Sequence, residues 1–280
     1  MPAVLPLTVL GVPVDLRFAG PRAAEAYDAF APRWALCLRD NGATAERAVT
    51  VTLGGPDGGT NGGTNGGTNG GTNGGSNEDG TIGSDDLPLL LQLATQRVTY
   101  QAIHANIGSL LMFHAAAVCH PETGAALVAI APGGTGKTTV CRTLGRGRGY
   151  LSDETVGVRA DNTIVPYPKP LSVRRTDWDA KDETDPRSIG LAAATVTPYV
   201  AAILLLARDD EHTGPARLEP LDLFDAIIGM TPETSSLSRL PRPLHRLEEL
   251  VGGLPVVARA HYKEAASLEV FLGELIGDDR

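Results

Sequence analysis

The sequence predicts an α/β protein with a mixed β-sheet at its centre, preceded by a smaller β-rich part. Three observations carry this. Ala125-Ala126-Leu127-Val128-Ala129-Ile130 is a short, unbroken apolar run of strand length. It leads into Ala131-Pro132-Gly133-Gly134-Thr135-Gly136-Lys137-Thr138-Thr139, and Val140 to Leu144 can then continue as a helix until Gly145. Further on, Tyr199 to Ala207 is continuously apolar, the pattern of a central strand covered on both faces.

Strand, glycine-rich loop, Gly-Lys-Thr and helix are the context of a phosphate-binding loop. Glycines let the backbone curl so that its N–H groups converge on phosphate oxygens, and the helix N-terminus adds partial positive charge. Gly133, Gly134, Thr135, Gly136, Lys137, Thr138 and Thr139 are therefore the expected nucleotide cradle. Lys137 can reach the β- and γ-phosphates of ATP, and the Thr138 hydroxyl can ligate Mg²⁺. Ala131 stands where the usual pattern opens with glycine.

The chain of 280 residues has room for one large domain or two modest ones, with 42% hydrophobic and 20% charged residues. Its formal net charge of -9 argues against nucleic acid or an anionic membrane as the main partner. Cys37, Cys119 and Cys141 are far apart and form no C-x-x-C pair, so neither a zinc site nor a disulfide framework is expected. The N-terminus lacks the basic region of a signal peptide, and no stretch approaches the ~18 apolar residues of a membrane span. A cytoplasmic location is expected.

In chain order, Leu7 to Phe18 reads as two short strands around Gly11. Ala35 to Arg39 and Ala48 to Leu53 read as a second pair joined by a turn at Asp40-Asn41-Gly42, completing a small antiparallel sheet. From residue 58 to 77 the chain repeats Gly-Gly-Thr-Asn, closing on Gly-Gly-Ser-Asn. With no apolar side chain to offset ordering, this reads as a flexible insertion within an N-terminal region of residues 1–84. Residues 85–280 would form the second domain, opened by a helix capped at Asp85 or Asp86 and running toward Gly108.

Leu110 to Cys119 and the strand entering the loop read as a hairpin that carries His114 toward the site. After the helix, Tyr150-Leu151-Ser152-Asp153-Glu154 reads as a strand ending in two carboxylates. One could hold Mg²⁺ and the other could take a proton from an attacking hydroxyl. Val156 to Val165 reads as a further hairpin. Lys169, Arg174 and Arg175 are candidate phosphate or substrate contacts. Asp177 to Arg187 is charged and irregular, and reads as a mobile substrate-facing loop. Helices are expected over Leu221–Met230, Pro243–Val251 and Ala265–Ile276, with a strand over Val256–Tyr262.

Phe113-His114-Ala115-Ala116-Ala117-Val118, the loop, Leu151-Ser152-Asp153-Glu154 and Pro168-Lys169-Pro170-Leu171-Ser172 together resemble the HPr kinase/phosphorylase family. The resemblance spans about residues 85–275 and is closer to the small HPr kinase-like proteins beside peptide natural-product genes, including lasso peptide clusters. It implies a P-loop core shared with phosphoenolpyruvate carboxykinase and phosphorylation of a serine hydroxyl on a peptide or small protein. By the same resemblance His114 is an active-site histidine and Asp153 the presumed general base. Glu154 stands where the family has a second Asp. The Glu-x-Arg-Gly-x-Gly run of true HPr kinases is not found, which weakens HPr itself as substrate.

The expected activity is ATP- and Mg²⁺-dependent phosphorylation of a hydroxyl, with nucleotide and a peptide or small protein as partners. A homo-oligomer is expected only by analogy. A small-metabolite kinase and a nucleotide-binding switch are the alternatives. An ABC-type ATPase is disfavoured because no LSGGQ-like run is present, and a carboxykinase needs a far longer chain.

Overall fold

The computed structural model describes residues 3–39, 45, 47–54, 80–174 and 181–278. The Gly-Gly-Thr-Asn repeat, the turn at Asp40-Asn41-Gly42, Arg175, Asp177 and Asp179 lie outside the described residues.

The N-terminal part holds β1 (Ala3–Val9), β2 (Val12–Ala19), α1 (Ala23–Arg33), β3 (Arg47–Leu53) and β4 (Thr81–Ser84). Alternation in β2 places Val14, Leu16 and Phe18 on one buried face, as a period of two requires. The sheet order is β1-β2-β3-β4, and only the first pair is antiparallel; β2–β3 and β3–β4 are parallel. The all-antiparallel expectation therefore fails, and α1 explains why. A parallel neighbour needs a crossover connection, which α1 supplies between β2 and β3. Ala35–Cys37 forms a 3₁₀ turn instead of a strand, followed by a single antiparallel bridge from Leu38 to Leu7.

Helix α2 (Leu87–Ala105) starts where Asp86 accepts a hydrogen bond from the Leu89 N–H at 2.9 Å, with Pro88 in the first turn. Its apolar stripe of Leu90, Leu91, Ala94, Val98 and Ala102 shares one core with Leu7, Leu16, Phe18, Phe30, Trp34 and Val51. Tyr167 joins the same core, and its hydroxyl meets Thr99 Oγ1 at 2.7 Å.

Next come β5 (Leu111–Cys119), β6 (Ala125–Ile130), α3 (Lys137–Leu144), β7 (Gly149–Ser152), β8 (Thr155–Val158), β9 (Ile164–Val165), β10 (Leu171–Arg174) and β11 (Lys181–Thr184). The remainder holds β12 (Ala192–Ala193), β13 (Tyr199–Arg208), β14 (Arg217–Pro220), α4 (Leu223–Met230), β15 (Thr234–Ser235), α5 (Pro243–Gly252), β16 (Val256–Tyr262) and α6 (Leu272–Ile276). A mixed 10-stranded sheet runs β12-β7-β5-β6-β13-β16-β14, with β15 and β8 also paired to β5. β6 and β16 both flank β13 in parallel, so the uninterrupted apolar strand is central, as expected.

Both faces of this sheet are covered. Leu127, Ala129, Leu204 and Leu206 face a core with Val140, Cys141 and Leu144 of α3 and Leu272 and Leu275 of α6. Their neighbours Val128, Ile130, Ile203 and Leu205 face Ala226 and Met230 of α4 and Leu247 and Leu250 of α5. Burial on both faces accounts for the continuous apolar runs.

Residues 181–184 were expected in an irregular loop but pair as β11 with β10, and Pro186–Ile189 form a 3₁₀ turn. The expected terminal helix divides into a 3₁₀ segment, Ala265–Phe271, and the short α6. The three cysteines are buried and free. Among the described residues no helix is long and apolar enough to cross a membrane.

Candidate active site

The loop joins the C-terminal end of β6 to the start of α3. Gly134 and Gly136 adopt φ of 87° and 100°, a left-handed conformation that other residues enter only with strain. Among the described residues, the backbone N–H groups of Gly133, Gly134, Thr135 and Gly136 make no hydrogen bond. They form a set of unsatisfied donors at a helix N-terminus, the arrangement that binds anions. Thr135 Oγ1 donates to the Pro132 carbonyl at 3.0 Å, and Thr139 is exposed in the first turn of α3.

Lys137 is buried and donates from Nζ to the carbonyls of Ala131 at 2.6 Å and Pro132 at 2.9 Å. Its ammonium thus holds the loop's own entry strand. Burial pulls its pKa down to about 8, against the opposing pull of Glu233, Glu154 and Asp153.

β7 lies beside β5 and delivers the two acids beyond its end. Asp153 is buried, and both of its oxygens are engaged. Thr138 Oγ1 donates to Oδ2 at 2.8 Å, the Tyr150 hydroxyl donates to Oδ1 at 3.1 Å, and Lys169 Nζ lies 3.0 Å from the same oxygen. Glu154 is more open, 35% exposed in its side chain, and its Oε2 lies 3.3 Å from Lys169 Nζ.

Lys169 is a correction. Expected as a phosphate or substrate contact, it has a side chain that is 0% exposed and lies behind the two acids. It also donates to the Pro170 carbonyl and to Ser172 Oγ, which in turn donates to Glu183 Oε1 at 2.8 Å. Burial alone would lower the Lys169 pKa, but Asp153, Glu154 and Glu183 outweigh it and hold the ammonium charged. Burial pushes Glu183 up to about 7 despite Lys169 and Ser172. The hairpin carrying Glu183 is tied to the N-terminal part, where Arg33 Nε donates to the Glu183 carbonyl at 2.7 Å.

Across the loop, His114 sits on β5 with its side chain 39% exposed. Its Nδ1 lies 3.0 Å from Oε2 of Glu233, whose side chain is 15% exposed. A side chain begun at Gly133 would stand 3.9 Å from His114 Cε1, so the ring edge faces the loop. Burial and the charge of Lys137 lower the His114 pKa, while Glu233 and Glu154 raise it.

Two arginines flank the glycines. Arg174 is exposed, with Nη2 3.7 Å from where a Gly134 side chain would start. Arg208 ends β13, with Cδ at the same distance, 3.7 Å, from the corresponding point at Gly136. The sequence reading anticipated His114, Lys137, Thr138, Asp153 and Glu154, which the fold gathers at one end of the sheet. It passed over Tyr150, Glu233 and Arg208, and placed Glu183 in a mobile substrate-facing loop. Register could have signalled Arg208, because a cation ending the strand beside the loop strand lies next to the phosphate position.

Together these elements define an α/β fold with a phosphate-binding loop at the C-terminal end of a central strand. No protein-family model matches the chain, and no curated protein matches it in sequence. Among solved structures, a match is found to the Hpr(Ser) kinase/phosphatase from Coxiella burnetii. It has 13% identity and a TM-score of 0.31, covering 59% of this chain and 87% of that one.

Proposed function

We propose that the chain is an ATP- and Mg²⁺-dependent phosphotransferase acting on a hydroxyl, with serine of a peptide or small protein as the acceptor. The ribosomally made peptides implied by the motif resemblance are the acceptor class to try first. The observation that carries the reading is the 2.8 Å hydrogen bond from Thr138 to Asp153, beside four unpartnered loop N–H groups. A loop threonine held by a strand-end carboxylate is the donor set that a nucleotide-bound Mg²⁺ uses.

The residues present fit that ion. Mg²⁺ keeps several waters and takes only one or two protein oxygens beside the phosphates, and Thr138 and Asp153 supply these. When bound, Mg·ATP brings the transferable phosphoryl group with part of its charge neutralised. The loop N–H groups would hold the phosphate oxygens. Lys137 would move its ammonium from the Ala131 and Pro132 carbonyls onto them, and Arg174 and Arg208 flank the same space. Tyr150 and Lys169 keep the Asp153 carboxylate turned toward Thr138.

The test is intact-mass spectrometry of serine-containing peptides encoded by neighbouring genes, after incubation with Mg·ATP and the full chain. A phosphate mass gain that disappears with Lys137→Ala is the expected result. Tight ATP binding with no gain on any peptide or small-molecule hydroxyl would overturn the transferase reading.

A further inference from the structure

We propose that the β10–β11 hairpin is an arm held against the phosphate-binding loop by the N-terminal core, and that Arg174 at the end of β10 meets the transferring phosphoryl group. This rests on the phosphotransferase reading and assigns part of its charge stabilisation.

Among the described residues β10 and β11 pair only with each other, so the hairpin belongs to neither of the larger sheets. Its alternation explains how it is held. Leu171 is buried in the core that α3 covers, and Val173 packs against the same core. Ser172 and Arg174 face the other way, opposite Glu183 and Lys181. The inner pair is fixed, because Ser172 donates to Glu183 and accepts from the buried Lys169. Two helices of the N-terminal core hold the second strand. Arg33 Nε of α1 donates to the Glu183 carbonyl at 2.7 Å, and Gln92 Oε1 of α2 accepts from the Lys181 N–H at 3.0 Å.

The outer pair breaks a local rule. Arg174 and Lys181 are like charges directly opposite on adjacent strands, an arrangement that costs stability. Neither side chain makes a hydrogen bond or ion pair among the described residues. In a chain of net charge -9, two cations left facing each other mark a place built for an anion.

The anion's place is adjacent. Arg174 Nη2 stands 3.7 Å from where a Gly134 side chain would begin. Beside it are the N–H groups of Gly133, Gly134, Thr135 and Gly136, which have no partner among the described residues. Lys181 reaches the loop through its charge. Burial is the main cause of the lowered Lys137 pKa, and Lys181 adds to it. Arg208 differs, because its guanidinium is already occupied by the Lys263 carbonyl at 3.1 Å and Asp210 at 2.6 Å.

In the transfer, the acceptor oxygen bonds to the γ-phosphorus while the bond from that phosphorus to the β–γ bridging oxygen breaks. ADP leaves with the electron pair, and the acceptor's proton passes to one of the two carboxylates beyond β7. Arg174 exchanges no proton. Its planar fork bears on the phosphoryl oxygens as charge shifts across them. Arg174 is then a catalytic residue, and Arg33 and Gln92 are positioning residues.

The experiment uses the full chain and measures binding of Mg·ADP alone and of Mg·ADP with aluminium fluoride, which stands in for the transferring phosphoryl group. The parent is expected to bind the fluoride complex at least about 100-fold more tightly than Mg·ADP. Arg174→Ala should keep Mg·ADP affinity within about threefold of the parent yet lose about tenfold or more of that gain. Arg174→Lys should restore little of it, because an ammonium lacks the fork. Arg33→Ala and Gln92→Ala should each cut the gain by about threefold or more with Mg·ADP affinity held, whereas a merely structural loss would weaken both complexes alike. Arg174 is exposed, so its replacement leaves the core intact. An undiminished gain in Arg174→Ala would overturn the assignment, and an undiminished gain in both Arg33→Ala and Gln92→Ala would overturn the anchoring. A parent that binds Mg·ADP but gains nothing from aluminium fluoride sinks the arm while nucleotide binding stands. A parent that binds no nucleotide sinks the phosphotransferase reading itself.

Discussion

On the β7 side of the loop, Asp153, Tyr150, Lys169 and Glu183 are buried and joined through Thr138, Ser172 and backbone carbonyls. On the β5 side, His114 and Glu233 form one pair that remains partly open. The buried side has a fixed cation at its centre and contacts reaching Arg33 of the N-terminal part. The open side depends on one two-residue strand meeting β5. Charges inside a low-dielectric interior interact strongly and leave little freedom, whereas a half-exposed pair contributes little to stability and can exchange protons with water. The first side therefore acts as a frame, and the second is the side open to solvent.

The sharpest way to break this contrast is Lys169→Met. It strands Asp153 and Glu154 without their cation and should destabilise the fold by about 3–5 kcal/mol in urea unfolding. A loss under about 1 kcal/mol would mean that the buried side is no frame.

Glu183 offers a pH-resolved version. Its folded value of about 7 lies above its ordinary 4.5, so between those limits the folded chain holds the extra proton. Its contribution to stability is then complete below about pH 4.5 and is lost as pH rises through 7. The stability of the parent minus that of Glu183→Gln should fall across this window by up to about 3 kcal/mol. A flat difference curve would sink the prediction. The smallest effect belongs to the open side, where Glu233→Gln should change unfolding stability by less than about 1 kcal/mol. A stability loss as large as that of Lys169→Met would erase the distinction between the two sides.

Much of this architecture was legible in the chain. The loop, the β5–β6 hairpin, β13 and the Asp86 cap all follow from local patterns that packing did not override. The β2–β3 pairing was misread because α1 was missed: Ala23–Arg33 buries only Ala26 and Phe30 and contains Pro32, so its stripe is faint. Without that crossover, neighbouring strands default to hairpins. Lys169 read as a phosphate or substrate contact because lysine is almost never fully buried without partners, and its partners lie in another strand connection. Glu233 lies 119 positions from His114 and meets it only through sheet pairing, which no local signal encodes.

Lys137 carries a consequence for the energetics of ligand capture. At rest its ammonium occupies the carbonyls of Ala131 and Pro132, and burial holds its pKa at about 8. An arriving polyphosphate would draw it away and stabilise the charged form, so its affinity would be a difference between two sets of oxygens. Near pH 8 the free protein carries this proton about half the time, and binding should take up about half a proton from the buffer. Calorimetric enthalpies of ATP binding should then scale with the ionisation enthalpy of the buffer at pH 8, and lose that dependence near about pH 6. On the proposed reading, nucleotide capture on the alkaline side of neutrality would be a proton-consuming event, written into the loop by the residue that shapes it.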